Sequence, residues 1–388
     1  MRPSLAPLPR AMTTAAIDDA LMQSALAQAQ AAIGLTEPNP RVGCVIATAQ
    51  GRVLGQGHTQ AVGQAHAEVM ALRDAAARGE SVAGATAYVT LEPCAHFGRT
   101  PPCCDALIAA GIGRVVMALE DPFPQVAGQG AARLRAAGIS VDEGLGAEAA
   151  REINIGFFSR VLRKRPWVRL KSAISLDGRT ALPSGQSQWI TGPAARADGH
   201  AWRKRSGAVL TGIGTVMRDD PQLDVRLVPT AKQPQRVVLD SSLRCPANAR
   251  ILQGPPGAWL FTTIDEAGVA ASTHAQALSE RGAVIISQPG KDGRLDLVNV
   301  LHDLAERGIN ELHVEAGPQL SGAFIAQGLV DETLIYVAPK LLGHGLPLAQ
   351  LPPLAQLSDA AELRFVDACA VGEDWRLRLR PRNGFGSA

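Results

Sequence analysis

No run of apolar residues in this sequence approaches the roughly 18 that a membrane-spanning helix needs, so no membrane role is expected. An excess of one charge is lacking too: 38 basic side chains stand against 36 acidic ones, a net charge of +2. That balance leaves no electrostatic footprint for nucleic acid or for an anionic membrane surface. Cysteine is scarce, at six residues in 388, which excludes a disulfide scaffold. The opening MRPSLAPLPRAMTTAA carries two arginines but no apolar h-region, and it does not read as a secretory signal. It reads as a disordered lead, with Met12 as an alternative start. The expected setting is the reducing cytoplasm.

What is present is a soluble globular composition, 46% hydrophobic and 19% charged, on a chain too long for one ordinary core. From about residue 14 to 160, helical and strand patterns alternate. Residues 15–33 form an amphipathic pattern, and VGCVIAT (42–48) and RVLGQG (52–57) read as paired strands. Residues 66–79 read as a helix with a glycine stop, 85–92 as a strand, 103–111 as a short helix and 114–119 as a strand. A last helix and strand follow at 130–138 and 139–144. RVLRKRP (160–166) then reads as a solvated basic linker. A second strand and helix series follows it, with helices near 193–205, 295–307 and 319–328, and no repeat relates the halves. The expectation is two unlike α/β domains, 12–160 and 163–388, each with a sheet covered by helices.

The six cysteines are not spread evenly: LEPCAHFGRTPPCC (91–104) holds three of them. A local cluster in a chain without a disulfide framework points to metal or catalysis. His66 opens a helix in the string HAE, Cys94 lies just past a strand, and Cys103 begins the next helix. A helix N-terminus favours the thiolate that binds metal. His66, Cys94 and Cys103 make three ligands for zinc, which leaves a fourth position for water. Glu68 stands beside the ligands as the general acid/base, the arrangement of zinc deaminases. Eight residues separate Cys94 from Cys103, where that pattern has two. Two alternatives are weighed against this set. Cys104 can exchange roles with Cys103, and His96 can close the site as a fourth ligand, which leaves Glu68 without chemistry. Cys44, Cys245 and Cys369 read as small core residues, and His58, His200, His274, His302, His313 and His344 as surface or core histidines.

HAE, TLEPCAHFGRTPPC, DPFPQVAGQG (121–130) and PNPRVGC (38–44) together make the first domain resemble the pyrimidine deaminase of riboflavin biosynthesis. The resemblance selects Cys103 over Cys104, and it implies a cytidine-deaminase-like α/β/α domain.

The second domain offers LTGIGT (210–215) and a glycine-bearing turn, VEAGPQLSGAF (314–324), of the kind that lets backbone N–H groups meet phosphate. Neither fits G-x-G-x-x-G, so no Rossmann fingerprint is read. LKSAISLDGRTA (170–181), SGQSQWIT (184–191), GTVMRDDPQL (214–223) and IYVAPKLLG (335–343) look like the reductase half of the same bifunctional riboflavin enzymes. That resemblance implies a dihydrofolate-reductase-like α/β fold and NADPH. Carried over by position, Ala173, Trp189, Thr215, Asp219, Ser241, Gly317, Pro318, Gln319, Leu320, Ser321, Gly322 and Ala323 would hold the dinucleotide. Lys171, Ser187, Arg203, Leu223, Arg226 and Glu315 would face the substrate. Arg203 and Arg226 suit a ribose 5-phosphate, because a guanidinium fork matches phosphate oxygens. Trp189 can equally be a core aromatic.

The implied function is sequential: zinc-dependent deamination of a phosphoribosylamino-pyrimidinone, then NADPH-dependent reduction of its ribosyl chain. A homo-oligomer acting on a small phosphorylated molecule is expected, with no nucleic-acid or membrane partner. The competing readings are a nucleic-acid deaminase, which the near-neutral charge opposes, and a noncatalytic zinc module fused to a nucleotide-binding domain.

Overall fold

The computed structural model describes residues 13–97, 101–123 and 126–382. The N-terminal lead with Met12 and residues 98–100 of the long cysteine motif lie outside that range. The chain divides into two compact units, one ending at Leu162 and the other starting at Arg163.

The first unit runs α1 (Thr14–Ala31), β1 (Gly43–Ala47), β2 (Val53–His58), α2 (Ala67–Ala77), β3 (Thr86–Val89), α3 (Cys103–Ala109), β4 (Arg114–Met117), α4 (Gln129–Ala136), β5 (Ser140–Glu143), α5 (Ala147–Ile153) and α6 (Ile155–Arg163). Its sheet has the order β2-β1-β3-β4-β5. The central strand β1 is buried along its whole length, and its side chains alternate between two cores. Cys44 and Ile46 pack with Leu107 and Leu134 on one face, while Val45 and Ala47 pack with Leu21, Met22 and Leu26 of α1 on the other. The result is an α/β/α sandwich.

Strand directions set up the site. β1 is antiparallel to both β2 and β3, so those two strands run the same way, and β4 is parallel to β3. The chain therefore leaves β2, β3 and β4 at one edge of the sheet, where ligand sites of open α/β sheets lie. Helix α2 sits unusually close to β2. A methyl group at Gly55 would fall 2.3 Å from the carbonyl oxygen of Ala71, so only glycine permits that approach.

The second unit comprises β6 (Trp167–Ser175), β7 (Arg179–Ala181), α7 (Pro193–Arg205), β8 (Ala208–Gly212), α8 (Ile213–Asp219), β9 (Gln235–Leu239), β10 (Trp259–Thr262), α9 (Glu266–Ala271), α10 (Thr273–Glu280), β11 (Val284–Ser287), α11 (Leu297–Glu306), β12 (Glu311–Val314), α12 (Pro318–Ala326), β13 (Glu332–Ala338), β14 (Leu346–Pro347), β15 (Leu363–Val371) and β16 (Asp374–Pro381). Nine strands form one sheet in the order β11-β10-β9-β8-β12-β6-β13-β16-β15. Strands β6 and β8–β13 pair in parallel, whereas β13–β16 and β16–β15 are antiparallel. Leu210 and Val237 face one core with α11 and α12, and Val209 and Val238 face the other.

Three departures from the sequence reading have physical causes. The β15–β16 hairpin was not expected, because its inward side chains are arginines rather than apolar residues. Arg378 and Arg380 reach the buried carboxylate of Glu332, each at 2.8 Å, and Arg376 reaches Asp198 at 3.1 Å. The WRLRLR stretch alternates as a strand does, but with the faces reversed: its arginines turn to buried carboxylates while Trp375 is exposed. The LTGIGT stretch (210–215) is divided between two elements: β8 ends at Gly212, where α8 begins. The basic RVLRKRP stretch is not a solvated linker. Helix α6 continues through Arg163, and Arg163 and Arg165 meet Asp331 at 2.8 and 2.7 Å. Their acidic partner lies 168 residues beyond Arg163, out of reach of any local reading.

Arg169 is the centre of the buried ion network. Its guanidinium is fully buried, donates to Glu332 at 2.6 Å and to Glu311 at 2.9 Å, and lies 4.5 Å from the ring centroid of Trp202. Burial pushes the Glu332 carboxyl up, but Arg169, Arg378 and Arg380 outweigh it and hold it below the usual carboxylate range. Breaking a buried pair by removing one partner costs about 3–5 kcal/mol, because the other charge is left uncompensated. Arg169→Ala is expected near the low end of that range, since Arg205, Arg378 and Arg380 remain. The measurement is the urea midpoint of the second unit.

Candidate active sites

In the first unit, three segments from one sheet edge converge. His66 is the N-cap residue of α2, and its side chain makes no capping bond, so the imidazole is available. Cys94 follows β3, and Cys103 is the first residue of α3, behind Pro102. Cys103 Sγ lies 3.3 Å and Cys94 Sγ 3.6 Å from His66 Nδ1. The three ligand atoms all fall within 4.8 Å of one another, and no other group of this kind occurs among the described residues. The Cys103 N–H donates to Cys94 Sγ at 3.3 Å. Hydrogen bonding from Cys103, and then from His66, holds the Cys94 thiol down at about 4 against the opposing effect of burial. Two sulfurs and one imidazole nitrogen fit a tetrahedral zinc with one position left over.

Glu68 lies in the first turn of α2, 3% exposed, and burial pushes its carboxyl up to about 7. His96 is exposed and outside the cluster, so the closed four-ligand alternative finds no fourth donor there. Cys104 points away from the cluster. Its thiol donates to the carbonyl of Pro93 at 3.1 Å and lies 3.6 Å from that of Gly130. Cys44 and Cys245 are buried as expected, whereas Cys369 is half-buried on β15 rather than in a core.

In the second unit, Glu315 follows β12 and gathers two cations and a buried, neutral imidazole. Arg203 of α7 meets both carboxylate oxygens, Lys171 of β6 lies at 3.6 Å, and His313 at 3.5 Å. Burial opposes ionisation of Glu315, yet Arg203 and Lys171 hold its carboxyl well below the usual range. The Arg203 guanidinium also donates to the Asp224 carbonyl at 2.9 Å, which ties Leu223 and Arg226 to the same place. Lys171, Arg203, Leu223, Arg226 and Glu315 are thus brought together. Ser187 and Trp189 sit on the loop after β7, and no hydrogen bond among the described residues joins them to this cluster. Trp189 is 60% exposed under the Arg196 guanidinium, so it is not a core aromatic.

The residues assigned to the dinucleotide lie along the strand ends. Ala173 is on β6, Thr215 and Asp219 are on α8, and Ser241 follows β9. Gly317 caps α12 without a side-chain bond, and Pro318 through Ala323 form that helix's opening turns. α8 and α12 are neighbours: a methyl at Gly212 would lie 3.1 Å from Leu320.

Two histidines dismissed on spacing turn out to line this cluster. His200 Nδ1 accepts the Arg226 N–H at 3.1 Å, and burial, reinforced by Arg203 and Arg226, lowers its pKa to about 4. The ring is therefore neutral and able to accept. His313 is buried beside Glu315. Neither lies in a recognisable motif, and only the tertiary contacts reveal them.

Two families match the chain. The cytidine and deoxycytidylate deaminase zinc-binding region covers residues 15–119, and the RibD C-terminal domain covers residues 166–377. With the geometry above, these define a deaminase-class zinc-binding unit followed by a separate α/β enzyme unit. Riboflavin biosynthesis protein RibD of Escherichia coli is 46% identical over 375 residues, which is 93% of this chain and 99% of that protein. The RibD of Aquifex aeolicus is 42% identical over 358 residues, 92% of this chain and 97% of that one. The chain belongs to the RibD family of riboflavin biosynthesis proteins. Among solved structures, Acinetobacter baumannii RibD has a TM-score of 0.84 at 41% identity, covering 94% of this chain and 99% of that one. A diaminohydroxyphosphoribosylaminopyrimidine deaminase/5-amino-6-(5-phosphoribosylamino)uracil reductase from Thermotoga maritima has a TM-score of 0.83 at 33% identity, with the same coverage. The expected cytidine-deaminase-like unit followed by a dihydrofolate-reductase-like one is therefore the fold of this chain.

A metal held by His66, Cys94 and Cys103 implies about one zinc per chain. Cys103→Ser is expected to lose zinc and deamination together, while Cys104→Ser keeps both, by metal analysis and ammonia release. The reverse pattern would make Cys104 the ligand.

Proposed function

We infer that this chain carries both activities of its family. The first unit hydrolytically deaminates 2,5-diamino-6-(5-phosphoribosylamino)pyrimidin-4(3H)-one. The second reduces the ribosyl side chain of the product to ribityl with a nicotinamide cofactor, NADPH. The observation that carries the reading is the convergence of His66, Cys94 and Cys103 with Glu68 buried beside them. The reading includes a cytoplasmic location, supported by six free cysteines, and a homo-oligomeric assembly. Among the described residues no helix is long and apolar enough to cross a membrane.

When bound, zinc supplies a Lewis acid that makes a water nucleophilic near neutral pH. The work of this chain's residues is then proton handling. Deamination replaces a ring C–NH2 with C=O, so water's oxygen goes to carbon and ammonia departs. Glu68 takes the water's proton at its carboxylate and gives it to the leaving nitrogen. Burial raises the carboxyl above the usual carboxylate range, which suits a group that must hold a proton and pass it on. A noncatalytic zinc module would leave this buried carboxyl without a purpose.

In the second unit, Glu315, kept ionised by Arg203 and Lys171, holds those cations in place for a polyhydroxylated, phosphorylated chain. Arg226 is half exposed and pairs with Asp224, from which it can turn to the 5-phosphate. The opening N–H groups of α12 after Gly317 suit the cofactor's phosphates, with Thr215 and Asp219 on α8 and Ser241 after β9 as further contacts.

Glu68→Gln is expected to keep zinc while deamination falls roughly 10²–10⁴-fold, the range of general acid–base contributions. Near-normal turnover would remove Glu68 from the mechanism.

The full reading is tested by supplying the diaminopyrimidine phosphate with and without NADPH and identifying products by mass. Without NADPH the deaminated ribosyl compound should accumulate; with it, the ribityl compound. We propose further that the activities separate between residues 160 and 163. Fragment 12–160 should deaminate without NADPH, and fragment 163–388 should reduce the intermediate without zinc. A fragment that folds but lacks its activity would show that the sites are shared.

A further inference from the structure

Glu92 has no part in the chemistry above, yet it is buried and its carboxylate accepts four backbone N–H groups. Oε2 accepts from Asp121 at 3.1 Å and Gly128 at 3.0 Å. Oε1 accepts from Gly130 at 2.7 Å and Ala131 at 3.1 Å. These donors lie on both arms of the loop that follows β4 and in the first turn of α4, whose N–H groups have no partner within the helix. Glu92 itself stands two residues before Cys94, so one side chain ties the 121–131 segment to the turn that carries a zinc ligand. Residues 124 and 125 of that segment lie outside the described ones.

The joint is tightly packed as well as hydrogen-bonded. A methyl at Gly130 would fall 2.1 Å from the carbonyl oxygen of Pro93, so the two backbones are in direct contact. From below, the Cys104 thiol donates to the same Pro93 carbonyl. The loop presents Asp121, whose carboxylate accepts the Phe123 N–H at 2.9 Å and is close enough to Cys94 and His96 to feel both.

We propose that Glu92 is a positioning residue of the deaminase: it clamps Asp121 and residues 128–131 to the Cys94 turn, so that Asp121 and the backbone around Gly130 form a fixed wall beside the metal cluster. Only a carboxylate satisfies four N–H donors. A glutamine would turn its NH2 against two of them.

The inference rests on the deaminase reading, which the wild-type chain tests by itself through its turnover of the pyrimidine substrate. The variants Glu92→Gln and Gly130→Ala then test the clamp in the full chain. The second keeps every charge and pushes the segment off Pro93. Zinc content, kcat and KM for deamination per bound zinc, and reduction of the deaminated intermediate are measured for each. Deaminase kcat/KM per bound zinc is expected to fall on the order of 10²-fold, as for a reacting geometry displaced by about 1 Å. Reductase activity should be unchanged. A purely structural role would lower zinc content and leave turnover per zinc intact. Wild-type kcat and KM per zinc in either variant overturns the proposal. Loss of zinc from both also overturns it, because Glu92 would then be holding the ligand and not the wall.

Discussion

The first unit depends on how closely α2 lies on β2. His66 and Glu68 occupy the first turn of that helix, while Cys94 and Cys103 come from segments beyond β3. The imidazole reaches within 3.6 Å of both sulfurs because the absence of a side chain at Gly55 lets the helix backbone meet the strand. Strand direction supplies the other half of the constraint. With β2, β3 and β4 all ending at one edge, ligands, acid/base group and the Glu92-held loop share one small region. Because the ligands come from three separate segments, the geometry is held by packing, not by a single loop.

The second unit is organised by charge where the first is organised by close packing. Arg169, Glu311, Glu332 and the arginines of β16 form a buried network beneath the sheet's middle. A few residues along β12, Glu315 repeats the theme at the strand end, with Arg203 and Lys171 as partners. Burial is costly for each of these groups alone, and each is compensated by partners of opposite sign. Such a network adds little stability over an apolar core. It does fix where each guanidinium points.

The two sites differ in how much of them local sequence exposes. HAE, EPC and the cysteine at the start of α3 are short strings whose chemistry is visible without a fold. The existence and order of β1–β5 were also legible, most plainly for the apolar β1, β3 and β4, although the strand read over 85–92 overran β3, which ends at Val89. By contrast, the β15–β16 hairpin was missed: Arg376, Arg378 and Arg380 form its inward face while Phe365 and Trp375 are exposed, the reverse of the usual pattern. The linker reading of RVLRKRP failed because Asp331, which both Arg163 and Arg165 meet, is distant in the chain. His200 shows the limit most plainly, because what distinguishes it is a bond to the Arg226 N–H and not any neighbour in sequence.

By itself, the sequence determined the candidate donors of the first site, the alternation of strands and helices, and the presence of two unlike halves. Residue type and spacing carry those facts, because ligand chemistry and hydrophobic period are local properties. Tertiary structure added the geometry that separates Cys103 from Cys104: adjacent in the chain, one faces His66 and the other Pro93. It also decided that Glu92 gathers four N–H groups, that His200 accepts from Arg226, and that a run of arginines is a strand. In each case the partner lies far away in sequence, and an interaction between distant segments leaves no mark on either one until the chain has folded.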